Sequence, residues 1–526
     1  MNQTVANDAL NDLNRRAFVQ QSSIAAMLAA LAVALSASAL AGTQGAAPSV
    51  AAAPPIDAAQ APRLLSNDTT RDAFTEAIED LSEDQRTQFL RGRSLFRQNW
   101  VVAPAQDKAF AGLGPVYNRL SCIACHPKNG RGEPPAAGER LQSMLVRLSV
   151  PGQGPHGGPN PHPAYGEQFN EEGIPGVPGE GRIVFGWKTV PHRNADGSRL
   201  ELVAPTIAFA DLAYGPIDGV LTSPRVGPQV YGLGLIDAIP AEAIEAQARL
   251  RKPDGVHGRV NRVWDAAQQR LVVGRFGLKA NAPNLRQQIA GAFVGDLGIT
   301  SELFPDENCT AAQTACRQAP SGGHPELSHE QLEDITAYLS RVAAPERREV
   351  QAPQVQHGEA LFAAVGCAVC HRPQWQTGAA AHDPALAGRS FAPYTDLLVH
   401  DMGAGLADGR PDYLAQGREW RTPPLWGIGL VERAGQGMGA RGRSADHHKR
   451  AGGPHREDEL AYRPVERTTP GLGGHEGAAV ALDDDQALGR KPVEGLARGR
   501  PPHAEAAHHE LVVDAAARRP TDREPG

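Results

Sequence analysis

The sequence predicts a mainly α-helical chain with long irregular insertions rich in Gly and Pro and a disordered C-terminal tail. Two observations lead to this prediction. Apolar residues recur at helical spacing, most clearly at Leu327, Leu332, Ile335 and Leu339, and Pro345 ends that helix. Gly (57) and Pro (43) are abundant among the 526 residues, which favours loops and short helices over long regular elements.

The elements follow in chain order. Apolar spacing from Phe74 to Leu95 predicts a first helix over residues 70–99. Residues 133–197 contain so many Gly, Pro and His that we expect a long irregular loop, and residues 252–271 form a second irregular stretch. The remaining predicted helices cover residues 240–251, 282–296, 326–343 and 357–365.

The N-terminus has the features of an export signal. Arg15 and Arg16 precede an Ala- and Leu-rich stretch over residues 23–41, which ends in the small-x-small sequence of a cleavage site. The sequence therefore predicts a signal peptide over residues 1–41. An uncleaved membrane anchor is the alternative, because the apolar run is about long enough to span a bilayer. No later segment is long and apolar enough to do so.

Two short runs of Cys and His carry the chemistry, C-I-A-C-H at residues 122–126 and C-A-V-C-H at residues 367–371. Haem c needs two thiols for thioether bonds to its vinyl groups and an imidazole that binds the iron. On a helical turn, positions i, i+3 and i+4 face one side, so each run can present all three groups together. The predicted attachment residues of the two c-type haems are Cys122, Cys125, His126, Cys367, Cys370 and His371, with His126 and His371 as iron ligands.

Other uses of these cysteines explain the pattern less well. A thioredoxin-like redox pair would follow a strand in a βαβ unit, and a zinc site would need both pairs brought together from distant parts of the chain. A purely disulfide role leaves the two histidines unexplained. The remaining pair, Cys309 and Cys316, is predicted to form a disulfide that closes a short loop, with free thiols or a catalytic dithiol as alternatives.

The second axial ligand decides what each iron does. For the second haem, Met402 lies downstream of His371 at a distance typical of small cytochromes c, and we predict it as the ligand, with His400 as its rival. For the first haem no residue stands out, because Met144 lies in an apolar run typical of a core. The other side chains considered there are His156, His162, His192, His257, Tyr117, Tyr165 and Tyr231.

These observations divide the chain into five parts. After the signal peptide, residues 42–69 are predicted to be a disordered linker, and residues 70–345 a first haem c domain with its insertion. Residues 352–432 are predicted to be a second, cytochrome c-like domain. Residues 433–526 lack Phe, Trp, Ile, Asn and Cys, so this tail is expected to be disordered or to be the product of a reading-frame slip.

Several further runs resemble a family of bacterial di-haem oxidoreductases, described as peroxidases or thiol oxidoreductases. The resemblance covers residues 92–430 and stops after Leu430, where family members continue with an L-H-D-G-R run, a W-H run and a closing helix. It rests on W-V-V-A-P (100–104), G-L-G-P (112–115), N-G-R-G (129–132), S-P-R (223–225), G-L-G-L (232–235), G-R-F-G (274–277), P-Y-T-D-L-L (393–398), H-D-M-G (400–403) and W-R-T-P-P-L-W-G (420–427). It implies an all-α core of two cytochrome c-like units.

The sequence thus favours an exported, periplasmic di-haem c-type protein. Its predicted function is electron transfer between two covalent haems, with peroxide reduction at the first; a pure electron carrier without turnover is the alternative. The expected partner is a small redox donor or acceptor protein. A formal net charge of -7 argues against nucleic acid, which demands concentrated basic surface. Arg131, Arg225, Lys279 and Arg421 are candidates for pairing with haem propionates.

Overall fold

The fold mixes helices and strands, so the prediction of a mainly α-helical chain is wrong. The computed structural model describes residues 63–193, 197–379, 381–431 and Arg433. Of these, 27% are helical and 23% lie in strands, which form many small sheets. The predicted signal peptide, most of the predicted linker and nearly all of the tail lie outside the described residues. None of the helices described combines the length and the apolar character needed to cross a membrane.

The helices are short. Their bounds are α1 Glu83–Arg97, α2 Leu233–Asp237, α3 Ala241–Arg249, α4 Leu285–Ala292, α5 Thr314–Arg317, α6 His329–Arg341 and α7 Pro353–Ala364. Ser82 and Ser328 begin α1 and α6 with capping boxes completed by Gln85 and Gln331. The helices predicted around residues 240–251, 282–296, 326–343 and 357–365 are all present.

The strands are numerous and mostly very short. Their bounds are β1 Leu65–Ser66, β2 Val116–Tyr117, β3 Met144–Gln153, β4 Pro159–Asn160, β5 Glu172–Gly173, β6 Arg182–Arg193, β7 Arg199–Ala210, β8 Leu221–Val226, β9 Gly258–Arg259, β10 Arg262–Asp265, β11 Arg270–Val273, β12 Ala344–Pro345, β13 Trp375–Gln376, β14 Ser390–Phe391, β15 Val399–Asp401 and β16 Glu419–Arg421. The larger sheets are β4-β3-β8, the hairpin β6-β7, and β16-β15-β9.

The strands arise largely where the sequence suggested loop. In β6, Ile183 and Phe185 are buried while Val184 between them is exposed, which is the period of two that half-buried strands show. Pro191 and Pro205 lie in the hairpin without breaking it, because a two-stranded ribbon leaves one edge of each strand unpaired. The abundance of Gly and Pro therefore concealed a strand pattern that was present.

The main core surrounds the contact between α1 and α6. Gly92 makes this contact possible, since a Cβ at this position would lie 2.0 Å from the carbonyl oxygen of Asp334. Arg91 closes the contact from outside by donating two hydrogen bonds of 2.7 Å to the Asp334 carboxylate. Phe89 and Tyr338 meet between the helices with ring centroids 4.9 Å apart. The first attachment run packs beside α1.

Residues 70–82 are buried in part but are not helical. Side-chain oxygens of Asp68 and Thr70 accept hydrogen bonds from the backbone N–H groups of Thr70 and Asp72, which offers this segment a turn in place of a helix. Phe74 nevertheless reaches the core. The apolar spacing thus located the core residues correctly but extended the helix too far towards the N-terminus.

Candidate haem-attachment sites

The first attachment run forms a tight turn. Cys122–Ala124 is one 3₁₀ turn, and the backbone N–H groups of Cys125 and His126 both bond to the carbonyl oxygen of Cys122, at 3.1 and 3.0 Å. This turn brings the thiols and the imidazole into one short stretch. His126 Nδ1 lies 2.6 Å from the carbonyl oxygen of Pro228. Because a carbonyl oxygen only accepts, Nδ1 carries the proton and Nε2 carries the lone pair that binds a metal.

The second run has the same geometry, although a different segment of the chain surrounds it. Cys367–Val369 is again a 3₁₀ turn, and the N–H of His371 bonds to the carbonyl oxygen of Cys367 at 2.9 Å. His371 Nδ1 lies 2.9 Å from the carbonyl oxygen of Tyr394. The same tautomer follows, with the lone pair on Nε2. Metal-bound histidines characteristically donate their other ring N–H in this way.

The chemistry of the thiols fits thioether formation better than dithiol redox chemistry. The four cysteines of the two runs form no disulfide, whereas Cys309 and Cys316 form the predicted one, with a Cα–Cα distance of 5.7 Å. Burial raises the pKa of Cys122 and of Cys125 to about 12, so both are protonated at neutral pH. A redox-active pair requires a thiolate of lowered pKa, which this site does not provide.

The backbone around His126 is shaped for close contact. A Cβ on Gly227 would lie 2.7 Å from the carbonyl oxygen of Cys125 and 3.2 Å from Cε1 of His126. Gly227 therefore lets the Pro228 carbonyl reach the imidazole. A phenylalanine accompanies each histidine: Phe96 lies 6.3 Å from His126 and Phe362 lies 6.3 Å from His371, measured between ring centroids. The two sites therefore fit haem c in donor set, tautomer and apolar surroundings.

The two candidate axial ligands of the second haem differ in their surroundings. Met402 directly follows β15, its side chain is exposed, and its backbone N–H bonds to the carbonyl oxygen of Arg418 at 2.9 Å. His400 is buried, with Nε2 2.8 Å from a carboxylate oxygen of Asp396 and Nδ1 3.8 Å from the sulfur of Cys370. Burial acts to lower the pKa of His400, but Asp396 and, less strongly, Cys370 raise it to about 9. The His400 ring is thus already hydrogen-bonded to Asp396, whereas the Met402 side chain is exposed.

At least four of the eight side chains considered for the first haem have structural partners. Met144 lies in β3 within a buried apolar cluster, as its apolar flanks predict. The His156 ring stacks on Trp264 with centroids 3.7 Å apart. The hydroxyl of Tyr165 donates to the carbonyl oxygen of Gly215, and that of Tyr231 donates to the carbonyl oxygen of Trp426.

Two of the four candidate propionate partners bind carboxylates of the protein instead. Arg225 donates to Asp412 at 3.0 Å and Lys279 to Asp408 at 2.9 Å, and all four groups are buried. Arg421 differs, because the hydrogen bonds described for its guanidinium go to carbonyl oxygens, including that of Gly277 at 2.9 Å. Burial lowers its pKa to about 10. Compared with Arg225 and Lys279, Arg421 is therefore better placed to bind an additional anion.

Several residues of these sites carried no recognisable sequence signal. The carbonyl groups of Pro228 and Tyr394 act through the backbone, so no residue type marks them. Asp296 lies in an irregular helical turn, Phe293–Leu297, where its carboxylate accepts a hydrogen bond of 2.8 Å from Gln168. Burial raises the pKa of Asp296, and its charge acts on Cys122 and His126. Only the fold brings it near the first run.

A comparison with protein families agrees with these sites. Residues 62–149 and 216–446 match the family described as di-haem oxidoreductase, putative peroxidase. The chain belongs to the di-haem oxidoreductase family. The matched residues include both attachment runs and Met402, and they extend beyond Leu430. Membership in this di-haem family implies haem cofactors. It also indicates an oxidoreductase of the peroxidase type.

The family match omits residues 150–215. These residues contain the whole β6-β7 hairpin, whose first strand lies where the sequence suggested loop. No curated protein and no solved structure gives a significant match to the chain.

Proposed function

We propose that this di-haem oxidoreductase is an exported enzyme with two covalent haem c groups. Cys367, Cys370 and His371 would hold the second haem, which would accept electrons, and Cys122, Cys125 and His126 would hold the first, which would supply the chemistry of peroxide reduction. The observation that carries the proposal is the repeated donation of Nδ1–H from His126 and His371 to a backbone carbonyl. Two unrelated carbonyls impose the iron-binding tautomer on the histidine of each C-x-x-C-H run.

The protein groups have separate roles in this proposal. The four thiols would tie the haems to the chain, and His126 and His371 would each bind an iron through Nε2. Met402 would bind the iron of the second haem, and a methionine ligand favours a high potential and electron transfer. Haem iron, when bound, supplies the one-electron redox chemistry and the binding of peroxide.

The overall reaction balances with an external reductant. A small redox protein delivers two electrons in single steps, and two protons come from solvent. The O–O bond of hydrogen peroxide breaks, and two water molecules leave. Asp296, close to the first run and with a pKa raised by burial, is suitably placed to hold a proton near that haem. Arg421 is the candidate partner for a haem propionate.

Export is part of the same proposal. Haem is joined to c-type apoproteins outside the cytoplasm, and residues 1–41 have the features of a signal peptide. The Cys309–Cys316 disulfide supports an oxidising compartment such as the periplasm, because structural disulfides are rare in the cytosol. The proposed partner is accordingly a small periplasmic electron-transfer protein.

Haem counting tests this proposal. The full chain is produced in a host that matures c-type cytochromes, and the intact mass of the denatured protein gives the number of covalent haems. Double Cys→Ser variants at residues 122 and 125, or at 367 and 370, should each lose one haem. The matched control is the double Cys→Ser variant at residues 309 and 316, which should retain both. A wild-type protein without covalent haem contradicts the proposal.

Exposure of the reduced protein to carbon monoxide then separates enzyme from carrier. We expect the Soret band of one haem to shift, because the first iron has to bind peroxide. If carbon monoxide shifts the Soret band of neither haem, the chain is a pure electron carrier.

A further inference from the structure

Lys279 has the surroundings of a bound cation. Its side chain is fully buried, and its ammonium group donates to Asp408 Oδ1 at 2.9 Å and to the carbonyl oxygens of Arg410 and Gln416 at 3.0 and 2.9 Å. These three bonds use all the donors of an ammonium group. The ring of Trp420 covers a further side, with its centroid 4.4 Å from Nζ.

All three oxygen acceptors belong to one loop, residues 402–418, which we call the clasped loop. Its base is closed by the pairing of β15 with β16 and by the bond from the Met402 N–H to the Arg418 carbonyl. Further along, the backbones of Gly409 and Gly417 touch, because a Cβ on Gly417 would lie 2.5 Å from the carbonyl carbon of Gly409. The clasped loop therefore starts at Met402 and ends two residues before Trp420.

Lys279 reaches the clasped loop from a different part of the chain, which is itself firmly held. Asn261 donates one hydrogen bond to the Lys279 carbonyl at 2.8 Å and another to the Asp412 carbonyl at 2.9 Å. Ala280 packs with Val399 and Ala415 in a small buried cluster. The ammonium group thus fixes the clasped loop relative to an anchored turn.

Asp408 extends the connection to β8. Its second carboxylate oxygen accepts a hydrogen bond of 2.7 Å from Ser223, while its first binds Lys279. A buried ion pair of this kind adds little net stability, since the loss of hydration offsets the Coulomb attraction. Such pairs are retained in some proteins because they specify one arrangement of the chain. Here that arrangement concerns the segment that begins with Met402.

We propose that Lys279 is a positioning residue for the second haem. By holding the clasped loop through three oxygen atoms, it keeps Met402 where this side chain can remain the axial ligand. This inference rests on the proposed function, because it needs a haem at Cys367, Cys370 and His371. It adds that the ligand is controlled from the part of the chain that precedes residue 345.

Redox potentiometry of two variants tests the inference. Lys279→Met removes the ammonium group at similar side-chain length, and Asp408→Asn removes its counter-charge. If Lys279 acted on the haem only through its charge, the first variant would lower the midpoint potential and the second would raise it. Positioning predicts a lower potential of one haem in both variants, with weakening of the methionine-to-iron charge-transfer band of the oxidised protein and no change at the other haem.

Arg341→Met is the matched control. Arg341 forms a buried ion pair with Asp383 at 2.6 Å that also joins residues before 345 to residues after 352, but it does not touch the clasped loop. The control should leave both potentials unchanged. A raised or unaltered potential in Asp408→Asn, or an equal drop in Arg341→Met, would overturn the inference.

If Lys279→Met fails to fold, Asp408→Asn decides alone by the same criterion. The intact mass of each variant separates the two proposals. Two covalent haems with wild-type potentials reject the role of Lys279 and leave the proposed function standing. A wild-type protein without haem rejects the proposed function and with it this inference.

Discussion

At the scale of single residues, two backbone carbonyls define the proposed iron sites. The Pro228 carbonyl, which accepts from His126, lies 102 residues from it in sequence. The Tyr394 carbonyl, which accepts from His371, lies 23 residues from it. The sequence showed both attachment runs, but it could not show which ring nitrogen of His126 and of His371 carries the proton. Backbone groups are common to all residue types, so only the folded chain shows which carbonyl reaches which imidazole.

Met402→Ala tests the proposed ligand directly. Loss of the methionine ligand should lower the midpoint potential of one haem markedly, because methionine ligation raises haem potentials. The control is Met144→Ala, which removes a buried core methionine from β3 and should cost about 2–5 kcal/mol of stability without changing either potential. Potentiometric titration and thermal unfolding of both variants distinguish these effects. An unchanged potential in Met402→Ala would assign the ligand elsewhere, with His400 the next to be substituted.

At the scale of secondary structure, the helices were predictable and the strands were not. Residues such as Leu332 and Tyr338 lie on one face of α6, and helical periodicity needs only neighbours in sequence to be recognised. The short strands β9, β15 and β16 contain two or three residues each, which is too few for a period of two to show. The pairing of β15 with β9 also depends on contacts between residues more than 100 positions apart.

The contact between α1 and α6 provides a test at this scale. Gly92→Ala places a methyl group against the Asp334 carbonyl, so the helices have to separate, and we expect a loss of about 1–3 kcal/mol in the free energy of unfolding. Gly405→Ala is the control, because its Cβ would meet no atom within 4 Å and its backbone is unstrained. Chemical denaturation monitors both. Equal stabilities of the two variants would show that the close helix contact does not limit the fold.

At the scale of the whole molecule, buried charges link distant segments. Arg225, Lys279 and Arg341 each pair with a carboxylate that lies beyond residue 380. The sequence could suggest Arg225 and Lys279 only as propionate partners, since a buried pair and a ligand contact use the same residue types, and it gave no signal for Arg341. What the sequence did establish was the presence and order of two attachment runs, which is a local property.

Glu180 gives stability of the whole molecule a predicted pH dependence. It is buried in the segment that the family match omits and accepts hydrogen bonds of 2.6 Å from the Asn170 N–H and from Gln313. Burial raises its pKa to about 8. In the unfolded chain its pKa returns to the ordinary value near 4.5. Between these values the folded state holds a proton that the unfolded state has lost, so stability is greatest below about pH 4.5 and falls as the pH rises to about 8, as far as this group is concerned.

The variant Glu180→Gln isolates this contribution. It carries no titrating proton and keeps the side-chain shape, and its side-chain oxygen can still accept the hydrogen bond from the Asn170 N–H. We therefore expect the difference in unfolding free energy between variant and wild type to shift in favour of the variant from pH 5 to pH 8, by on the order of 1 kcal/mol per pH unit. Denaturation at a series of pH values measures this difference. A difference that stays constant with pH would show that Glu180 is ionised in the folded protein, and its burial would then need a cation that the described residues around it do not supply.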